Sequence, residues 1–227
     1  MMELEIMRKI TMVSAGSRHP GREHVVQLRG DFRHKLAEGH EHVVMVSNAL
    51  ASTLAATNLK APKRRVPVPT CKEIARQVLL ALDFLHTECG VVHSDLHHTN
   101  IMAEFPHGDE ELVDVLELRG LAHYLAAVGG LAISAEAGFH LRLIDFGISS
   151  FIDMHVRETR VQPAILRAPE VTLHGPWNEK IDVWNLGALL FHLVLGEPMF
   201  PGVAAPDGSY NEEDDRLAKL AEAFGRD

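Results

Sequence analysis

Cysteine is nearly absent from this sequence: Cys71 and Cys89 are the only two. A disulfide framework and a four-thiolate metal site are therefore excluded, and a reducing compartment is the default expectation. The opening residues, Met-Met-Glu-Leu-Glu-Ile-Met-Arg-Lys-Ile, lack the basic stretch and long apolar core of a secretory signal. Long hydrophobic runs are lacking too; the most apolar one, residues 183–195, contains Asn185 and His192 and is too short to span a bilayer. Positive charge is scarce: 22 basic against 31 acidic residues give a net charge of −9. That balance argues against an electrostatic grip on nucleic acid or anionic lipid and leaves basic protein substrates compatible. There is no internal repeat and no low-complexity segment. The expectation is a soluble, monomeric protein of the cytoplasm or nucleus, without direct nucleic-acid or membrane contact.

What is present suits a packed domain. At 227 residues and 46% hydrophobic composition the chain can bury a substantial core in one domain or two. Leu4, Ile6, Met7 and Ile10 recur at helical spacing in residues 3–12. A chain that begins inside a helix, with no cap before it, suggests further sequence upstream. Residues 25–32 and 42–47 read as an antiparallel strand pair, and 60–69 as a basic, proline-bearing linker. Thr70, with Glu73 three residues on, reads as a capping box opening a helix whose apolar face is Ile74, Val78, Leu82 and Leu85. Gly90 would end it. Residues 103–139 read as an insertion with helical character over 111–128, and 140–144 as a strand. The helix at 180–195 is hydrophobic nearly all round, which predicts a central position, and 212–224 is amphipathic.

The chemistry concentrates in residues 91–102, where two short apolar pieces flank the polar loop His93-Ser94-Asp95-Leu96-His97-His98-Thr99-Asn100. A loop between strands is where a rigid scaffold presents reactive groups, and Asp95 and Asn100 can converge there. A plain histidine-rich turn, in a chain with 15 histidines, is one alternative. A metal hydrolase using His93, Asp95, His97 and His98 is another, though no recognisable distant partner motif supports it.

The pattern H-x-D-x-x-x-x-N resembles the catalytic loop of protein kinases. It is followed in order by Asp145-Phe146-Gly147, by Ala168-Pro169-Glu170 and by Asp182-Val183-Trp184-x-x-Gly187. Together these resemble the large lobe of a eukaryotic-type protein kinase. Finer features are similar to SR-protein kinases, especially fungal ones: His19-Pro20-Gly21-Arg22, Gln162-Pro163, Gly175-Pro176-Trp177 and the long insertion before Asp145. The resemblance implies an α+β, protein-kinase-like fold: residues 1–47 as a remnant of the N-lobe with one helix and a strand pair, and 48–227 as a mainly helical, C-terminally incomplete C-lobe. It implies a serine/threonine kinase using ATP and Mg²⁺ on protein substrates, Arg/Ser-rich ones included. Asp95 would be the base or orienting group, Asn100 and Asp145 the magnesium ligands, and Met102 a contact to the nucleotide base. His93 and Phe146 would pack behind the site, Gly147 would permit the turn that aims Asp145, and Asp182 would accept hydrogen bonds from the loop backbone. Glu3, with Glu5 as alternative, is the candidate to pair with a nucleotide-binding lysine.

The sequence also departs from that family. It contains no Gly-x-Gly-x-x-Gly and no lysine in a Val-Ala-Ile-Lys-like strand, so the N-terminal strands over ATP are expected to be missing. Ser94 replaces the usual arginine, and His97 stands where protein kinases place a phosphate-contacting lysine. Histidine is mostly neutral near pH 7, so it supplies less positive charge to a phosphoryl transition state. The expectation is kinase ancestry with impaired turnover. The alternatives are a non-catalytic kinase-like binding module and a small-molecule phosphotransferase of the aminoglycoside or choline kinase type, whose loops commonly carry histidine at this place.

Overall fold

The computed structural model describes residues 2–36, 39–58, 65–105, 138–154 and 160–225. Most of the expected insertion, with its helical stretch at 111–128, therefore lies outside the described residues. The chain opens with helix α1 (Met2–Gly16), which buries Ile6, Met7 and Ile10, the stripe its periodicity announces. A 3₁₀ turn (Pro20–His24) follows and docks on the long helix downstream. Gly21 makes this docking possible: a Cβ there would lie 1.8 Å from the Leu80 carbonyl oxygen.

Strands β1 (Leu28–Lys35) and β2 (Glu41–Ser47) form an antiparallel hairpin. The strand begins later than the apolar run predicts, because Val25 instead bridges to Leu143, and the Val26 N–H donates to the Leu143 carbonyl at 3.0 Å. The hairpin is thereby tied to the large half of the molecule. A short helix, α2 (Leu54–Asn58), follows the hairpin.

Helix α3 (Val68–Phe84) starts two residues before Thr70. Pro67 occupies the cap position and makes no side-chain cap, and Thr70 is buried inside the helix, so the capping-box reading is corrected. Proline in the first turn explains this, since it has no N–H to satisfy and its φ is preset for helix. The last turn widens into a π turn (Leu85–Cys89), closed by Gly90, whose N–H reaches the Leu85 carbonyl at φ 62°.

Three two-stranded pairings position the site. Strand β3 (Val91–Val92) pairs with β6 (Ser150–Phe151), and β4 (Ile101–Ala103) pairs with β5 (Leu141–Leu143), both antiparallel. The two loops carrying Asp95 and Asp145 are thus clamped side by side. Beyond them come α4 (Pro169–Thr172), α5 (Lys180–Leu195) and α6 (Glu212–Phe224). The core runs from Ile6 and Ile10 through Ile74, Leu82 and Phe84 to Leu186, Leu189 and Leu193. Helix α5 is central on one side only. Ile181, Leu186 and Leu189 are buried, while Val183 is 49% exposed and with Trp184 and Phe191 lines an open apolar groove. No helix among the described residues is long and apolar enough to cross a membrane.

Candidate active site

Asp182 is the anchor of the site. It is fully buried at the start of α5, where Oδ2 accepts the His93 N–H at 2.8 Å and Oδ1 accepts the Ser94 N–H at 2.8 Å. The backbone of the loop is therefore bound by a side chain from another element, as expected. His86 Nε2 lies 2.9 Å from the same carboxylate. The sequence gives no sign of that contact, since His86, in the turn after α3, lies far along the chain from Asp182. Ser94 is held at φ 67°, a left-handed conformation that costs a non-glycine residue about 1–3 kcal/mol and persists only when neighbours enforce it.

His93 is fully buried and acts as a strut. Its Nδ1 accepts the Asp95 N–H at 3.2 Å, which leaves the proton on Nε2 to donate to the Ile144 carbonyl at 3.1 Å. Burial holds the ring below the ordinary histidine range, against the pull of Asp182. Phe146 packs against it at 5.2 Å between ring centroids, and Ser149 Oγ donates to its carbonyl at 2.8 Å.

Asp95 and Asn100 converge. Asn100 Nδ2 donates to Asp95 Oδ2 at 3.1 Å and to the Asp95 carbonyl at 3.0 Å. His97 Nε2 sits 3.4 Å from Asp95 Oδ2. Thr99 fixes that imidazole: its N–H donates to Nδ1 at 3.3 Å and its Oγ1 lies 2.7 Å from the same nitrogen. With Nδ1 accepting, the Nε2 proton points at Asp95. That hydrogen bond holds the Asp95 carboxyl below the usual carboxylate range, against its partial burial, and Asn100 adds to it.

Asp145 faces this loop from the end of β5, since the Ile144 N–H donates to the Asn100 carbonyl at 3.0 Å. The left-handed residue of the turn is Asp145 itself, at φ 65°, and not Gly147. The Gly147 N–H donates to Asp145 Oδ1 at 3.1 Å, and a Cβ at this position would stand 3.2 Å from that oxygen, a contact tighter than ordinary packing.

Above the two loops lies a cleft of about 330 Å³. Val26, Leu50, Met102 and Ile144 form apolar walls, the dimensions and chemistry of a site for a flat ring. Glu3 lines it from α1, whereas Glu5 is exposed. The Glu3 carboxyl is pushed up, first by burial and then by the negative charge of Asp145. No lysine or arginine among the described residues lines this cleft. Met45, Ser47 and Asn48, at and after the end of β2, also line it and were not foreseen as site residues.

The donor set suits magnesium. With Nδ2 of Asn100 engaged by Asp95 and one Asp145 oxygen held by Gly147, each residue keeps a hard oxygen donor. Mg²⁺ is bound through one or two such protein oxygens, the rest of its shell being water and phosphate.

A second network sets the segment before α4. Gln162, at φ 71°, donates through Nε2 to the Ile181 carbonyl at 2.8 Å and to Asn185 Oδ1 at 2.9 Å, while its Oε1 accepts the Ala168 N–H at 2.9 Å. Asn185 Nδ2 donates to the Leu166 carbonyl at 2.6 Å, completing a buried frame between this segment and α5. Arg167 and Arg160 both pair with Glu213 of α6.

Comparison with known proteins agrees with this geometry. The sequence model of the protein kinase domain matches residues 2–224. A serine/threonine protein kinase of Aspergillus fumigatus is 28% identical over 211 residues, 92% of this chain and 51% of the relative. The serine/threonine-protein kinase SRPK of Physarum polycephalum is 26% identical over 226 residues, covering 89% and 52%. Protein kinase dsk1 of Schizosaccharomyces pombe is 38% identical over 100 residues, covering 44% and 18%. The chain spans about half the length of the first two relatives. Its four motifs, the anchoring of the Asp95 loop by Asp182 and a match over nearly its whole length lead to one conclusion: this chain belongs to the protein kinase domain family, with relatives of the SR-protein-kinase type.

Proposed function

We propose that this chain carries the phosphotransfer site of an SR-type serine/threonine protein kinase, moving the γ-phosphate of ATP to serine or threonine of protein substrates. The observation that carries the reading is the Asp95 carboxylate, hydrogen-bonded by Asn100 and His97 and fixed by a backbone that Asp182 holds. Asp95 orients the attacking hydroxyl and accepts its proton. Asn100 and Asp145 hold Mg²⁺, which when bound neutralises charge on the phosphates. Met102 contacts the nucleotide base from the cleft wall. His97 orients Asp95 and approaches the phosphate with less charge than a lysine would, so turnover is slower than the roughly 1–100 s⁻¹ of typical kinases.

Arg/Ser-rich substrates fit the net charge of −9 and the names of the relatives. We place the protein in the cytoplasm or nucleus, acting as a monomer. A non-catalytic binding role is favoured by one observation, the absence of a basic residue beside Glu3 among the residues lining the cleft.

Radiolabelled phosphate transfer from ATP to an Arg/Ser-rich peptide tests the proposal. The expected result is magnesium-dependent labelling that falls about 10²–10⁴-fold in Asp95→Asn. Labelling of amino alcohols in place of the peptide, or equal labelling by both proteins, would overturn it.

A further inference from the structure

Val26 lines the cleft, and the next residue, Gln27, lines a separate hollow of about 300 Å³ that shares no lining residue with it. The walls of this hollow are the last turns of α1, the Pro20–His24 turn, the start of β1 and Arg142 of β5. Arg22, Arg29 and Arg142 meet there, against the single carboxylate of Glu23. Three positive charges and one negative give the hollow a formal charge of +2, while the chain as a whole carries −9.

A guanidinium has five N–H donors, and here most of them are uncommitted. Arg22 commits Nη1 to the Ser14 and Ser17 carbonyls, and its Nη2 stands 3.6 Å from Glu23 Oε1, beyond hydrogen-bond reach. Arg142 commits Nε to Glu104 and Nη1 to the Val25 carbonyl, which leaves Nη2. The exposed guanidinium of Arg29 makes no hydrogen bond or ion pair with a described residue. Ser14 lines the same space, is only 8% exposed, and its Oγ has no hydrogen-bond partner among the described residues. Buried polar groups are paired as a rule, so this hydroxyl is a donor left for an oxygen that the chain does not supply.

A phosphomonoester answers to these features. Its charge of about −1.5 to −2 matches the hollow, whereas a carboxylate is only a monoanion. Its terminal oxygens accept from planar guanidinium forks two at a time. Ala15 and Leu28 add apolar wall, which a bare phosphate ion leaves unused and which suits the β-carbon of phosphoserine or the methyl group of phosphothreonine.

We propose that this hollow is a binding site for a phosphorylated serine or threonine of a polypeptide, held by Arg22, Arg29 and Arg142 with the Ser14 hydroxyl as a further donor. Glu23 opposes the ligand and limits its affinity. Binding there requires no phosphate transfer by Asp95.

The test uses the full chain and a fluorescein-labelled Gly-Ala-Ser-Ala-Gly peptide, with its serine phosphorylated or not. EDTA is present, so that no metal ion bridges the phosphate to the Asp95 site. Fluorescence anisotropy should show the phosphorylated form binding about tenfold more tightly or better. Arg29→Glu should weaken that binding by about tenfold or more at unchanged Tm, because the guanidinium it removes bonds to nothing described. Ser14→Ala breaks no side-chain bond of the free protein and should weaken binding about two- to tenfold. Glu23→Gln should strengthen it. The pair of peptides tests the charge without altering the protein. No binding of the phosphorylated peptide at millimolar concentration, equal binding of the two peptides, or full binding by both the Arg29→Glu and Ser14→Ala proteins would overturn the proposal. Inorganic phosphate that displaces the peptide at a concentration equal to the peptide's own Kd would overturn it too, since the ion alone would then be the ligand. So would selective capture of phosphatidylcholine vesicles bearing a phosphoinositide over the peptide.

Discussion

Replacing Asp182 with alanine should be the most damaging single change outside the cleft. The carboxylate is fully buried and accepts two backbone N–H groups at 2.8 Å, with His86 Nε2 at 2.9 Å. Hydrogen bonds to a charged group contribute about 1.5–3 kcal/mol each, so the two backbone bonds alone amount to about 3–6 kcal/mol. Breaking a buried charged contact by removing one partner costs about 3–5 kcal/mol, which brackets the same value. For a chain of this size each kcal/mol lowers Tm by about 2–4 °C, so a drop of about 6–20 °C is expected in thermal unfolding followed by near-ultraviolet circular dichroism. Asp182→Asn separates lost bonding from lost volume: it fills the same space but turns an N–H₂ toward one of the two donors, and should fall nearly as far. Hydrogen exchange at His93 and Ser94 should accelerate in both variants. A loss below about 1 kcal/mol, the scale of a single ordinary hydrogen bond, would refute the idea that Asp182 holds the loop, leaving the packing of His93 on Phe146 as its support.

Gln162→Leu removes three buried hydrogen bonds at a left-handed residue, and urea titration should show a loss of about 2–4 kcal/mol. Gly21→Ala drives a methyl group into the Leu80 carbonyl and should cost about 1–3 kcal/mol or more by the same measurement, since backbone cannot yield as a side chain does. Stability should fall as pH drops below about 6.5, because His24 and His93 are buried and depressed in the folded state. The unfolded chain then binds more protons than the folded one, so the stabilisation present above the unfolded value is lost as pH falls through the folded value. His24→Asn should flatten that slope in Tm measured between pH 7 and 5.

The helices with unbroken periodicity were legible with close boundaries: Lys180–Leu195 and Glu212–Phe224 coincide with the observed elements, and the α1 stripe of Ile6, Met7 and Ile10 is buried as read. The convergence of Asp95 with Asn100 was legible because both belong to one short loop. What depends on distant partners was not. Nothing local marks Ser94, Asp145 and Gln162 as left-handed, since their conformations are imposed by surrounding hydrogen bonds and not chosen by intrinsic preference. His86 joins Asp182 across 96 positions of chain, a pairing no spacing rule could reveal. Thr70 was misread for a different reason: the proline beside it is preset for a first helical turn, so the helix starts before Thr70 and leaves that residue inside it.

The wide turn that closes α3 holds one residue more than an ordinary helical turn, just ahead of the Asp95 loop. Each residue of a helix advances the chain by about 100° around its axis. Deleting one residue between Leu85 and Cys89 would let the turn close with ordinary helical bonds, the Gly90 N–H then reaching the Leu85 carbonyl over four positions in place of five. His86, inside this turn, and the backbone at His93 and Ser94, beyond it, reach one carboxylate. The extra residue of this turn is thus slack in the path between helix and loop, taken up before the chain reaches the residues that Asp182 holds.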